Sequence, residues 1–128
     1  MCLLDTVVEW DDTTIHAVSE SHKRAENPLR HSHGLHAVHL AEYGAQAMAV
    51  HGALMAQRKG EETARDGQLV SLRDVRLEVE YVDEGSAHLD VYAERLYADG
   101  GGAQYAFRVL QAGHLLASGR AAVIYTPS

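Results

Sequence analysis

The chain is 128 residues long, 46% hydrophobic and 23% charged, with a formal net charge of −7, and this length predicts a single domain over residues 1–128 with a sizeable core. The acidic balance argues against a nucleic-acid-binding protein, and no apolar run is long enough for a membrane span. The lone Cys2 cannot form an internal disulfide, and the amino-terminal segment has no basic n-region of a secretory signal, so we expect a cytoplasmic location.

The first quarter of the chain predicts two strands and a loop. Residues 3–10 form a short apolar run, and residues 14–22 alternate, with Ile15, Ala17 and Ser19 on one side. We therefore expect His22 at the end of the second strand. Residues 23–34 are polar and are interrupted by Asn27-Pro28 and Gly34, which indicates a loop.

A single long helix is predicted over residues 35–59. The segment contains no proline, and Arg58 and Lys59 lie in its last turn, where cations interact favourably with the helix dipole. Apolar residues surround nearly the whole helix, which is typical of a buried helix. Because many of them are alanine or glycine, neighbouring backbone can approach closely. We predict that a sheet wraps this helix and that the assembled protein covers one small-residue side, formed by Ala41, Ala45, Ala49 and Ala53.

Glu42 is the exception on this helix. His39 lies three residues before it and Gln46 four after it, so the three share one face. A carboxylate on a mostly buried helix is costly unless it is paired or protonated. The residue is either a carboxylate satisfied by hydrogen bonds near the helix start or a functional acid.

The second half of the chain predicts about four strands. A polar linker at 61–67 precedes them, alternation becomes clear from Val75, and turns fall at 83–86, 100–102 and 112–113. Strands joined by such short turns pair antiparallel. The last strand covers 114–125, with a bend expected at Gly119. The predicted fold class is α+β, with one long central helix wrapped by a single antiparallel β-sheet.

These segments resemble a known family. The order is a strand ending in His22, then Asn27-Pro28, a glycine-containing loop, and a helix in which Glu42 is followed by Tyr43-Gly44-Ala45-Gln46. The chain is similar to the hotdog-fold 3-hydroxyacyl-ACP dehydratases of the FabA/FabZ superfamily, and most of all to their ApeP-like branch. The loop between histidine and acid is longer than in typical relatives, and His36 stands where a proline is common.

The resemblance implies a dehydratase that needs no cofactor. Its catalytic pair is His22 as base and Glu42, from the other subunit, as acid, since a histidine titrates near neutrality and a buried carboxyl can stay protonated. Backbone N–H groups around residues 36–39 are expected to be free to receive the charge of the thioester carbonyl. The implied substrate-binding residues are Asn27, Pro28, Gly34, His36, His39 and Gln46.

The expected partners are an acyl carrier protein or a CoA thioester, and a second hotdog subunit, either identical or a paralogue. Six of the eleven basic residues lie between positions 23 and 65. A local basic rim on an acidic chain can receive an acidic carrier, although a scattered solvated surface is an equal interpretation. The predicted carrier-binding residues are Lys23, Arg24, Arg30 and Lys59.

Two further questions stay open from the sequence. The run His31, His33, His36 and His39 suggests a metal site, but it straddles a loop and a helix start without a separate set of acids, so we expect no physiological metal. An acyl thioesterase with a carboxylate acting on water is the alternative enzyme. A non-catalytic hotdog subunit that supports an active partner is the alternative outside enzymes.

Overall fold

Eight strands and one α-helix make up the part of the chain that the structure, a computed structural model, describes: residues 3–23, 30–31, 34–58, 67–82, 87–99 and 101–125. The α-helix is α1 (Leu40–Arg58), and 3-10 turns lie at Ser21–Lys23 and Ala37–His39. The strands are β1 (Thr6–Trp10), β2 (Thr14–Ser19), β3 (Arg30–His31), β4 (Gly34–Leu35), β5 (Gly67–Leu77), β6 (Leu89–Asp99), β7 (Gly102–Gln111) and β8 (His114–Tyr125). No helix within these ranges is long and apolar enough to cross a membrane.

Six of the strands form one antiparallel sheet in the order β1-β2-β6-β7-β8-β5, while β3 and β4 pair as a small separate hairpin. The predicted single helix with an antiparallel sheet is therefore confirmed. Several boundaries differ. β1 begins at Thr6 rather than at residue 3, and the segment predicted as a loop contains the short strands β3 and β4. The α-helix begins at Leu40 because the preceding residues form a 3-10 turn, β5 begins at Gly67 rather than near Val75, and β2 ends at Ser19.

The helix packs on the sheet through one side only. Its buried residues include Leu40, Tyr43, Ala47 and Met48. They pack in one core with Ile15 of β2 and with the inward-facing residues of β6 and β7. On the other side Ala49 is exposed and Ala41, Ala45 and Ala53 are half-buried. The expectation of a helix buried all round is thus wrong for the single chain, and cover by a partner stays a prediction for the assembled protein.

Phe107 sits between the helix and the last strand, and two glycines make room for its ring. A Cβ added at Gly44 of α1 would lie 2.6 Å from Cγ of Phe107, and one at Gly119 of β8 would lie 2.9 Å from Cζ. Both distances are too short for real carbon contacts. Gly119 was expected to mark a bend in β8. Opposite Gly119, Asp74 and Val75 of β5 bulge between the pairs that Arg73 and Arg76 make with β8, and Asp74 has a φ of 53°. The strand β8 has an irregularity of its own at Leu116, between its pairs with Val109 and Leu110.

Candidate active site

His22 lies in the 3-10 turn that follows β2, so it is past the strand end where the sequence placed it. The strand stops at Ser19, which still pairs with Leu89 of β6. The chain then turns inward, and the side chain of His22 is fully buried. A buried imidazole at this position is held by the groups around it rather than by solvent.

A chain of buried hydroxyl groups ties this turn to the helix. Ser19 Oγ donates to the carbonyl of Leu3, and it lies 2.9 Å from Ser21 Oγ. Ser21 Oγ in turn lies 2.7 Å from the hydroxyl of Tyr43 on α1. Ser19, Ser21 and Tyr43 are all fully buried. The backbone next to His22 is therefore fixed to the helix residue next to Glu42.

The ring of His22 faces Gln111, the last residue of β7. Their Nε2 atoms lie 3.5 Å apart, and the same amide nitrogen of Gln111 donates to the carbonyl of Ala87 at 3.2 Å. Gln111 is 7% exposed. Sequence reasoning missed this residue, although a signal exists. Along β7 the alternate positions 103, 105, 107 and 109 are inward and apolar, and Gln111 continues that series with a polar side chain.

Glu42 lies in a different environment from His22. Its side chain is 56% exposed, and Oε1 lies 3.4 Å from Nδ1 of His39, three residues earlier. The burial beside Ala41 and Ala45 that we expected for this carboxyl is absent in the single chain, where these two alanines pack on the edge of the core and are themselves only half-buried. Cover by a second subunit stays a prediction.

The structure describes the surroundings of several predicted substrate-binding residues, and their role in binding stays a prediction. His36 caps the 3-10 turn through Nδ1, which accepts from Val38 N at 3.0 Å, and its ring packs edge-on against Tyr81. Gln46 Oε1 accepts a hydrogen bond from Leu3 N at 2.7 Å, so Gln46 fixes the segment that leads into β1. Gly34 pairs with His31 in the small hairpin. Asn27 and Pro28 lie outside the described residues.

The backbone donors at the helix start are engaged within the chain. Ala37 N donates to Glu80 O at 2.7 Å, and Val38 N is taken by His36. His39 N donates to His36 O at 3.1 Å, and the N–H of Leu40 donates to Ala37 O. Our expectation that N–H groups at 36–39 are free for a thioester oxygen is therefore wrong for residues 37–39, since tertiary and turn hydrogen bonds already use them.

The predicted carrier-binding side chains of Lys23, Arg24, Arg30 and Lys59 lie outside what the structure describes. Among described residues, exposed arginines instead occupy the outer face of the sheet, where Arg73 and Arg120 are direct cross-strand neighbours. In the same described part, no group of three or more possible metal ligands comes together. His33, one member of the histidine run, is outside it.

A second buried histidine was missed as well. His51 on α1 is fully buried, with Nδ1 2.8 Å from the hydroxyl of Tyr105 and Nε2 2.8 Å from the carbonyl of Asp11. Since a carbonyl only accepts, Nε2 carries the proton and Nδ1 accepts from Tyr105 in the neutral ring. Burial lowers the pKa of His51 from its ordinary value of 6.5, and the carbonyl of Asp11 partly opposes this.

One long helix packed against a six-stranded antiparallel sheet in this order is a hotdog fold. The model of the ApeP-like family, described as ApeP dehydratase, matches residues 1–128. The chain therefore belongs to the ApeP-like dehydratase family. A comparison with curated proteins gives no match.

Solved structures share the same fold. The dehydratase heterocomplex ApeI:P from Xenorhabdus doucetiae matches with a TM-score of 0.86 and 24% identity over 99% of this chain and 84% of that chain. A hypothetical thioesterase protein from Streptococcus pneumoniae, solved with coenzyme A, matches with a TM-score of 0.70 and 10% identity over 96% of this chain and 86% of that chain. A mutant of the phenylacetic acid degradation protein PaaI from Thermus thermophilus matches with a TM-score of 0.66 and 18% identity over 94% of this chain and 92% of that chain. At these identities the likeness establishes the fold alone.

Proposed function

We propose that the protein dehydrates a 3-hydroxyacyl thioester, linked to an acyl carrier protein or to CoA, to the trans-2-enoyl thioester in fatty acid or polyene-type biosynthesis. The observation that carries this proposal is the match of the ApeP-like dehydratase family over residues 1–128. The placement of His22 supports it, because a histidine buried in the turn after β2, with its ring beside the amide of Gln111, suits proton transfer away from water.

In the proposed reaction a ring nitrogen of His22 takes the proton from C2 of the substrate. The electron pair of that C–H bond forms the C2=C3 double bond while the C3–O bond breaks. The carboxyl of Glu42, from the other subunit, gives its proton to the departing oxygen, which leaves as water. A carboxyl performs this step only when it is protonated, and cover by a second subunit would favour the neutral form.

The exposure of Glu42 supports an assembled active form. Its side chain is 56% exposed in the single chain, next to the half-buried Ala41 and Ala45. A second hotdog subunit laid on this side would cover the carboxyl and bring it toward the histidine of the facing chain. The partner is a second copy or a hotdog paralogue. A structural neighbour is a dehydratase heterocomplex by its name, which favours testing a paralogue first.

A non-catalytic subunit that supports an active hotdog partner is the second candidate. Two observations favour it. The imidazole of His22 is fully covered in the single chain, and the N–H groups of Ala37, Val38 and His39 are already engaged. A hotdog thioesterase is the third candidate. Its support is that this chain shares its fold, and only its fold, with a thioesterase-like neighbour.

The deciding experiment is an assay of the purified protein, alone and mixed with a hotdog paralogue from the same organism, on 3-hydroxyacyl and saturated acyl thioesters. The dehydratase proposal requires enoyl product that depends on His22 of this chain. His22→Ala in the mixed complex would then lower turnover by at least about a hundredfold. Full turnover by a complex that contains His22→Ala would show a supporting subunit instead. Release of free thiol from the saturated thioester without enoyl product would show a thioesterase.

A further inference from the structure

The side-chain amide of Gln111 is oriented by the backbone. Its Nε2 lies 3.2 Å from the carbonyl oxygen of Ala87, and a carbonyl oxygen can only accept a hydrogen bond. If the amide were turned over, its oxygen would face that carbonyl and two acceptors would be buried against each other. The amide nitrogen therefore points toward Ala87 and, with its second hydrogen, toward His22.

The strand register keeps Gln111 in this place. In the sheet it pairs with Leu89 of β6 on one side and with His114 of β8 on the other. Both neighbours are close to chain turns, so Gln111 stands at the same end of the sheet as the turn that carries His22. The residue is 7% exposed, which leaves its amide little competition from water.

This orientation favours a lone pair on Nε2 of His22, and in the neutral ring the proton then lies on the buried Nδ1. The amide nitrogen is a donor only, so Nε2 of His22, 3.5 Å away, is favoured as an acceptor. A proton on Nε2 would set an N–H against an N–H. The distance is at the long end for a hydrogen bond, so a substrate proton that approaches Nε2 displaces a weak contact.

We infer that Gln111 is a positioning residue that holds the buried imidazole of His22 with its lone pair on Nε2, ready to act as a base. The consequence for catalysis rests on the proposed function, whereas the state of the ring does not. Sequence and resemblance gave no role to Gln111.

The test uses the intact protein labelled with nitrogen-15 in histidine, with the His22 signals identified by their loss in His22→Ala. At neutral pH the wild-type ring is expected to show an unprotonated Nε2. Gln111→Glu keeps the size but puts an acceptor beside the ring, and it is expected to protonate Nε2. Gln111→Met, of similar size and without a donor, is expected to give a mixture of the two neutral forms. Gln104→Glu, at an exposed position of the same strand, is the matched control and should leave His22 unchanged.

The activity readout is taken on the same samples. Gln111→Glu should lower kcat by at least about tenfold with little change in KM, because the base is lost and binding is not. A purely structural role would lower stability in both variants and leave the ring signals of His22 alone, which would overturn the inference. A wild-type His22 protonated on Nε2 would overturn it too, and this measurement needs no variant to fold. If His22→Ala keeps full turnover while the ring behaves as expected, the proposed function fails and the inference about the ring stands.

Discussion

The hydroxyl oxygens of Ser21 and Tyr43 lie 2.7 Å apart in the interior, and this hydrogen bond joins the turn that carries His22 to the helix that carries Glu42. Removing it with Tyr43→Phe should destabilise the fold by about 1–2 kcal/mol, since a buried hydroxyl loses a partner. Urea denaturation measures this. Tyr97→Phe, at a side chain that is 59% exposed, is the control and should change little.

The same bond offers a coupling test. Ser21→Ala alone should cost a similar amount, and the double variant should cost clearly less than the two single losses added together. Additive losses would mean that the two hydroxyls do not stabilise each other.

Gly44 is predicted to be intolerant of even one methyl group. Alanine favours a helix by about 1 kcal/mol over glycine, but its Cβ would lie 2.6 Å from the ring of Phe107, which Gly119 confines from the other side. Overpacking of this kind costs about 1–3 kcal/mol, so Gly44→Ala should lower Tm. Adding Phe107→Leu should recover part of that loss. A Gly44→Ala protein more stable than the wild type would contradict this packing.

His51 should make stability depend on pH. Because burial lowers its pKa below 6.5 in the folded chain, the unfolded chain takes up a proton first as the pH falls. The stability that neutral His51 provides is therefore complete above about pH 6.5 and is lost as the pH falls below that value toward its folded pKa. The free energy of unfolding of His51→Gln, measured from about pH 7.5 to about pH 5, should fall less steeply than that of the wild type. Equal slopes for His51→Gln and the wild type would exclude the effect.

The proposed catalytic pair predicts complementation between subunits. His22→Ala and Glu42→Gln should each lose at least about a hundredfold in kcat while remaining folded. If the protein acts as a homodimer, mixing the two inactive variants and allowing exchange would create one intact site per mixed dimer, and part of the activity should return. Inactive variants that never complement would argue against a site shared between identical subunits.

Recognition of a carrier protein by Lys23, Arg24, Arg30 and Lys59 predicts a selective effect of charge reversal. KM for carrier-linked substrate should rise, and KM for a short soluble thioester should stay the same, because only the carrier brings an acidic surface. The effect should weaken with salt. Arg73→Glu and Arg120→Glu, on the outer face of the sheet, are the matched controls. An equal rise in KM for both substrates would count against a carrier-binding role.

The sequence by itself determined the helix, the antiparallel sheet and the alternation that buries Ile15, Ala17 and Ser19, because periodicity and short turns are local properties of the chain. It also indicated the family to which the chain belongs, and it singled out His22 and Glu42, whose catalytic role stays a prediction. The contact of Gly119 with Phe107 was not predicted, because it depends on a strand pairing that no local pattern reveals.

Only the tertiary structure decided which polar groups meet. Gln111 and His22 are separated by 89 positions, Tyr105 and His51 by 54, and Tyr43 and Ser21 by 22. Long-range register of this kind follows from the whole sheet and not from any segment. The helix start shows the same limit, since Ala37 N is taken by Glu80 O from a distant part of the chain. The single chain leaves Glu42 exposed, and its burial by a second subunit stays a prediction, because contacts between chains follow from no local pattern of the sequence.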